Sequence, residues 1–322
     1  MRVGVIGTGH LGREHARVYA ALPGVELVGV HDPAPQAAAA AAARAGCPVL
    51  SRQALLDAAA AVSVCVPTPA HAEVTTACLE AGLHVLVEKP IADDIESARA
   101  LVALAAERGR VLQVGHVERF NPAMVAAARH LRAPRFVESH RLSRFGRRGA
   151  DVAVVLDLMI HDLDLVLALV GDEVTSIDAA GVAVLSGSTD IASARLRFAN
   201  GCVANLTASR ISLERMRKIR FFQSDSYLSV DLLEGKVAMF RKRPGFRAEE
   251  FREALERGED PDPLAAIEPV DVPVEREEPL RLELGAFVDC VRRGGRPHPS
   301  GEDGLRALEV ACEIEQRLRA GT

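Results

Sequence analysis

The sequence has no Cys-X-X-Cys pair, no membrane-length apolar run and no large excess of either charge. Each absence removes a class of protein. Six cysteines, Cys47, Cys65, Cys78, Cys202, Cys290 and Cys312, are scattered through 322 residues, which argues against a disulfide framework and a cysteine-ligated metal site. They read as reduced thiols, mostly in the core, and no metal is expected. Nothing approaches the ~18 consecutive apolar residues of a membrane span. The opening "MRVGVIGTGHLG" is broken by glycines and lacks a cleavage-site pattern, so a cytoplasmic protein is expected. A formal charge of −5 gives no reason to expect nucleic acid or an anionic membrane as partner. No internal repeat is present. With 48% hydrophobic and 26% charged residues, the chain is globular and long enough for two domains at roughly 100–200 residues each.

Residues 1–120 alternate short apolar runs ("RVGVIG", "VELVGVHD", "AVSVCVPT", "HVLVEK", "VLQVGH") with alanine-rich stretches of helical character. Continuous apolar strands are covered on both faces, and βαβα order implies a parallel sheet. The expectation is an α/β fold opening on a Rossmann domain, a doubly wound parallel sheet over 1–120. From 121 to 322 the runs alternate polar and apolar residues, and "FANGCV" carries the Asn-Gly signal of a hairpin. This predicts an α+β domain with a large, mainly antiparallel open sheet, used for substrate and for self-association. One apolar helix, "VVLDLMIHDLDLVLALVG", is embedded early in it. Residues 241–280, rich in charge and proline, read as a surface excursion. The last helix, 301–320, has Ser300 as its expected N-cap and is placed to pack back on the first domain.

Gly7-Thr8-Gly9-His10-Leu11-Gly12 is a GxGxxG between a predicted strand and a predicted helix. There the glycines permit a tight turn and close approach of a pyrophosphate to the helix N-terminus. Asp32 ends the next strand twenty residues after Gly12, the place from which a carboxylate bonds an adenosine ribose. That carboxylate repels a 2′-phosphate, and Pro33 and Ala34 supply no cation, so NAD is expected rather than NADP. Two further strand ends reach the same edge: "PTPAH", with Pro67, Thr68 and His71, and "EKP", with Glu88, Lys89 and Pro90. Pro90 restricts Lys89 to extended conformations and can form a cis bond. On the embedded helix, Asp157 and His161 are four apart and share a face. Asp162 and Asp164 follow, and such a set of acids in an apolar helix is expected to line a polar cavity. Asp157, His161 and Asp164 could also ligate a metal, though no further histidine cluster supports that.

These residues together resemble the glucose-fructose oxidoreductase and inositol dehydrogenase (Gfo/Idh/MocA) family: the N-terminal GxGxxG, "PTPAH", "EKP" and the DxxxH helix, in that order and over nearly the whole chain. The resemblance implies that Lys89 is the catalytic lysine, Asp157 the aspartate that holds substrate and His161 the general base. It places Pro67, Thr68, His71 and Glu88 beside the cofactor. "RFNP" resembles the segment entering the second domain, where Arg119 and Asn121 are expected to contact substrate. Many relatives carry a glycine pair and a Tyr or Trp before the DxxxH helix. This chain has "RRGADVAVVLD", which leaves the aromatic wall of the sugar pocket unaccounted for.

The implied activity is NAD-dependent oxidation of a secondary hydroxyl on a sugar or polyol. An imidazole, with an unperturbed pKa of about 6.5, suits the base, and a fixed ammonium suits a developing alkoxide. Arg141, Arg144, Arg147 and Arg148, then Arg210, Arg215, Arg217, Lys218 and Arg220, form clusters that favour phosphate. The stretch "VESHRLSRFGRRGADVAVVLDLMIHDLDL" looks most similar to members of the UDP-N-acetylglucosamine 3-dehydrogenase type. A nucleotide sugar is therefore the first expected substrate, and inositol or a free sugar the second. Two other classes stay open: a redox-inactive NAD-binding sensor and an NAD-dependent glycoside hydrolase. The broad sheet predicts a homodimer or homotetramer.

Overall fold

The computed structural model describes residues 1–146 and 152–320, so Arg147 and Arg148 lie outside the described residues. The chain divides into two compact units. The first holds Met1–Phe120, Leu163–Leu165 and Glu277–Glu315; the second holds Asn121–Asp162, Val166–Arg276 and Gln316–Thr322.

The first unit opens with β1 (Arg2–Ile6), α1 (His10–Ala21), β2 (Glu26–His31), α2 (Pro35–Ala45), α3 (Arg52–Ala58) and β3 (Ala61–Val64). It continues with α4 (His71–Glu80), β4 (His84–Glu88), α5 (Ile95–Glu107) and β5 (Leu112–Gly115). The strands form a five-stranded sheet in the order β2-β1-β3-β4-β5, all parallel. Every residue of β3 and β5 is buried, as continuous apolar runs require of a sheet covered on both faces. The order reverses between β1 and β3, and ligands of such sheets sit at that switch, outside the carboxyl ends of the strands.

The second unit comprises α6 (Pro122–Ala128), β6 (Phe136–Leu142), α7 (Ile160–Val170) apart from Leu163–Leu165, β7 (Val174–Val182), β8 (Ile191–Phe198) and β9 (Val203–Ser209). It goes on through β10 (Met216–Phe222), β11 (Ser226–Asp231), β12 (Lys236–Lys242), α8 (Ala248–Glu256) and β13 (Ile267–Val270). Its eight strands run β13-β12-β11-β10-β6-β9-β8-β7. All neighbours are antiparallel except β6 and β9. Alternation is plain in β6, where Val137, Ser139 and Arg141 are buried while Phe136, Glu138, His140 and Leu142 are half-exposed. The β8–β9 hairpin turns at Asn200-Gly201, with Gly201 at φ +82° and the Cys202 N–H donating to Asn200 Oδ1 at 2.9 Å.

The reading of 241–280 as plain surface excursion is corrected. It contains α8 and the edge strand β13, which pairs with β12. Arg241 donates to Glu268 across that pair at 2.6 and 2.9 Å. Phe246 and Phe251 meet at 5.7 Å between ring centroids, a local apolar contact within this charged segment.

The chain ends with α9 (Pro279–Arg293) and α10 (Gly301–Ala320). Ser300 caps α10 reciprocally: Asp303 N–H donates to Ser300 Oγ at 3.3 Å and Ser300 N–H to Asp303 Oδ2 at 2.9 Å, a capping box. Leu284, Phe287 and Val288 of α9 complete the apolar core formed by Val3, Val5, Ala16, Tyr19 and Val30. Among the described residues no helix is long and apolar enough to cross a membrane.

Candidate active site

The turn after β1 has the shape of a dinucleotide cradle. Gly7 has φ +89°, and a Cβ there would fall 2.6 Å from the Cys65 backbone, so only glycine allows β1 and β3 to part at the switch. At Gly12 a Cβ would lie 1.8 Å from the Gly7 carbonyl oxygen. Gly9 is exposed and a Cβ would meet nothing within 4 Å, which leaves open space where a pyrophosphate approaches the backbone. No side chain caps the N-terminus of α1, so its N–H groups and positive dipole end face that space. His10 is exposed and Leu11 half-buried beside it.

Asp32 completes the cradle. Its Oδ2 accepts the Thr8 N–H at 2.6 Å and the Thr8 hydroxyl at 3.0 Å, while Oδ1 accepts the Ala34 N–H at 2.8 Å. Burial alone would raise its pKa, but these donors outweigh that and hold it below the ordinary carboxylate value. The anion is fixed where a ribose would sit. The fixed carboxylate fits NAD, and among its described hydrogen-bond donors none is a cation that would hold a 2′-phosphate.

The next strand ends are pinned to one another. Pro67 is exposed and Thr68 half-buried, beginning a short turn that leads into α4. His71, buried, bonds the Pro90 carbonyl through Nδ1 at 2.7 Å and the Val66 carbonyl through Nε2 at 2.9 Å. Both ring nitrogens of this residue, expected beside the cofactor, bond backbone carbonyls and so tie the two strand ends together. The Lys89–Pro90 peptide is cis. Glu88, at the end of β4, bonds His15 Nε2 through Oε1 at 2.9 Å and accepts the Lys89 N–H through Oε2 at 3.3 Å. Burial would raise the Glu88 carboxyl, but His15 and Lys89 outweigh it and hold it below the ordinary range. His15, Cys65 and Glu88 offer ligand atoms within 4.8 Å of one another. His15 and Glu88 bond each other directly, and burial, then the charges of Glu88 and Glu283, push the Cys65 thiol well above its ordinary value.

Glu283 of α9 is a feature the sequence did not signal. It is fully buried, and among the described residues neither carboxyl oxygen has a hydrogen-bond partner. Burial first, then the charges of Glu88 and Asp164, push its pKa well above the ordinary value.

In the second unit, Asp157 and His161 are both half-buried. The helix bearing them does not start as the α-helix expected. Val155–Met159 form a π turn that runs into α7. Four residues bring a side chain back to within roughly 40° of its starting face in either geometry, so the pair stays together. Single π turns occur often at functional sites.

The other two acids of this helix have different tasks. Asp162 is buried and accepts from Arg141 at 2.7 and 3.1 Å and from the Ser139 hydroxyl at 2.8 Å. Asp164, in the first unit, is gripped by both arms of Arg119 at 2.6 and 2.7 Å. The expectation that both line a polar cavity is corrected: each neutralises a buried arginine. Asp164 is thereby withdrawn from the metal reading as well. Arg119 also lies 3.6 Å from Asp303. Asn121 caps α6 by accepting the Ala123 N–H at 3.1 Å and donates to the Leu232 carbonyl at 3.0 Å. Arg119 and Asn121, expected on the substrate, are thus committed to internal bonds. Most of the supposed phosphate clusters are likewise occupied. Arg210 bonds the Val152 carbonyl and lies 3.7 Å from Asp190. Lys218 pairs with Asp231 at 3.3 Å, Arg220 with Glu138 at 3.2 Å, and Arg144 donates to the Leu213 carbonyl at 2.9 Å.

Comparison with known proteins agrees with this geometry. The family described as "Oxidoreductase family, NAD-binding Rossmann fold" matches residues 1–116, and the GFO/IDH/MocA C-terminal domain matches 122–228. The UDP-N-acetylglucosamine 3-dehydrogenase of Acidithiobacillus ferrooxidans is 44% identical over 99% of this chain and 98% of its own. A solved structure of that enzyme superposes with a TM-score of 0.90 at 37% identity, covering 99% of this chain and 98% of the other. An inositol 2-dehydrogenase of Rhizobium meliloti is 29% identical over 97% of this chain and 94% of its own. A chain with this cradle, this lysine at the end of β4 and full-length likeness of this degree belongs to the Gfo/Idh/MocA family of oxidoreductases.

Proposed function

We propose that the protein oxidises a secondary hydroxyl of a nucleotide sugar, carbon 3 of UDP-N-acetylglucosamine, with NAD as the hydride acceptor. The observation that carries this reading is the 44% identity to the Acidithiobacillus ferrooxidans enzyme across both units. Gly7, Gly9, His10, Leu11 and Gly12 would cradle the pyrophosphate and Asp32 the adenosine ribose, with Pro67, Thr68 and Glu88 at the nicotinamide half. NAD bound there supplies the hydride acceptor. His161 takes the hydroxyl proton as the carbon gives up its hydride, leaving a carbonyl. Lys89 donates to the oxygen and stabilises the developing alkoxide. Asp157 holds a neighbouring hydroxyl and orients the ring.

The test is to supply NAD with UDP-N-acetylglucosamine, UDP-glucose, myo-inositol and glucose in turn and follow NADH absorbance. UDP-N-acetylglucosamine should be the fastest. Faster turnover of myo-inositol would move the substrate to the polyols. Glycosidic cleavage without net NADH would make the protein a hydrolase, and bound NAD that no sugar reduces would make it a sensor.

The same reading takes the protein as a cytoplasmic homodimer or homotetramer. The free state of all six cysteines suits a reducing compartment. Self-association is supported by a half-buried row on the open face of the large sheet. Phe136, Phe222, Tyr227 and Phe240 follow one another across β6, β10, β11 and β12 at 5.7, 4.9 and 6.5 Å. A second copy laid on this row would bury rings that water now reaches. Light scattering should give a multiple of 34.4 kDa that drops toward the monomer in Phe222→Ser/Tyr227→Ser.

A further inference from the structure

Glu88 is held from three directions. His15 of α1, fully buried, bonds Oε1 at 2.9 Å. The Lys89 N–H points at Oε2, 3.3 Å away. From β5, Gly115 stands directly opposite Glu88 in the parallel register. A Cβ at Gly115 would lie 3.0 to 3.1 Å from the carboxyl carbon and both its oxygens. The missing side chain is therefore the space the carboxylate occupies. An ionised carboxylate only accepts, so His15 Nε2 carries the proton of that bond.

His15 is itself set in place. Tyr19, one turn on, meets its ring edge-on at 6.4 Å, and the Tyr19 hydroxyl is tied to Ser63 Oγ at 2.8 Å. The charged and titratable groups facing Glu88 are His15 and Tyr19 on α1, Cys65 after β3, Lys89 after β4, His116 after β5 and Glu283 on α9. Of these, His15 makes a side-chain hydrogen bond to the carboxylate.

We propose that His15 and Gly115 are positioning residues for Lys89: between them they fix the Glu88 carboxylate, which fixes the backbone on which the catalytic ammonium stands. This rests on the reading of Lys89 as the alkoxide-stabilising group. It also joins two parts of the site mechanically, because α1 carries the cofactor cradle at its N-terminus and the Glu88 clamp one and a half turns later. Displacing a catalytic group by about 1 Å costs up to ~100-fold in rate.

The test compares wild type with His15→Ala, His15→Gln and Gly115→Ala. The chain has only four lysines, Lys89, Lys218, Lys236 and Lys242, so reductive ¹³C-methylation gives a spectrum in which each can be assigned. In the protein without cofactor, His15→Ala and Gly115→Ala should move the Lys89 methyl signal and leave the other three in place. Their kcat should fall by about 10- to 100-fold, with NAD affinity within about threefold of wild type. His15→Gln keeps a donor at similar reach and should recover most of that loss. Wild-type kcat in a folded His15→Ala or Gly115→Ala, or an unmoved Lys89 signal, overturns the proposal. So does a loss of kcat that only follows loss of NAD binding or of cooperative melting. If His15→Ala does not fold, His15→Gln and Gly115→Ala decide. Should wild type turn over none of the sugars, the substrate reading fails and the methyl spectra still decide the positioning role.

Discussion

Lys89→Met and His161→Ala each remove one proton-handling group and little volume from the core. Either should cut turnover by at least ~100-fold, the low end for a positioned acid or base, while fluorescence titration shows NAD binding near normal. Normal turnover in either variant would withdraw that residue's role. Glu283 makes a different demand, on stability. Its native pKa lies well above the ordinary 4.5, so above that pH the unfolded chain has released a proton that the native state retains. Stability therefore falls as pH rises, by about 1.4 kcal/mol per pH unit, until the native pKa is reached. Glu283→Gln abolishes this slope and should gain on wild type in urea melts as pH rises above the ordinary 4.5; a difference that stays constant with pH would overturn the raised pKa. Glu88 has the opposite sign: its depressed pKa gives stability that is present above 4.5 and lost as pH falls through the native value. The glycines and Asp32 could be read from the sequence because their tasks are local, set by a turn and by the end of one strand. The clamp on Glu88 could not, since His15 lies 73 residues from it and nothing in "GREHARVY" names its partner.

The helix carrying Asp157 and His161 is anchored by the buried Arg141–Asp162 pair. Arg141→Met leaves a buried carboxylate with only the Ser139 hydroxyl beside it, and breaking such a pair costs about 3–5 kcal/mol. Chemical denaturation should show that loss, and Arg141→Met/Asp162→Leu should recover much of it. If the single variant melts as wild type does, the pair does not hold the helix. The elements themselves were largely legible. Continuous apolar runs placed the parallel strands, the Asn-Gly signal the hairpin at Asn200-Gly201, and a serine ahead of a helical period the N-cap at Ser300, because these depend on neighbours a few residues apart. What escaped was set at longer range or by small energy differences. The π turn at Val155–Met159 changes the hydrogen-bond ladder without changing the apolar pattern. Asp162 and Asp164 looked like site residues because the arginines that neutralise them, Arg141 and Arg119, lie 21 and 45 positions away. A buried acid and a catalytic acid are alike in sequence and differ only in their company.

At the scale of the molecule, the family's two matched regions, 1–116 and 122–228, do not coincide with its compact units, because Glu277–Glu315 belongs to the first. Leu284, Phe287 and Val288 arrive from α9 to cover Val5, Ala16 and Tyr19, which are fully buried in the finished protein. A fragment of residues 1–120 should expose that patch, bind a hydrophobic dye and aggregate, whereas the same fragment joined to 277–315 should melt cooperatively. Cooperative melting of 1–120 alone would show that α9 is dispensable. During synthesis α9 must emerge before the coenzyme-binding half can close, because its side chains are part of that core. Until then Val5, Ala16 and Tyr19 lack the cover that α9 supplies, and coenzyme has no finished seat to stabilise.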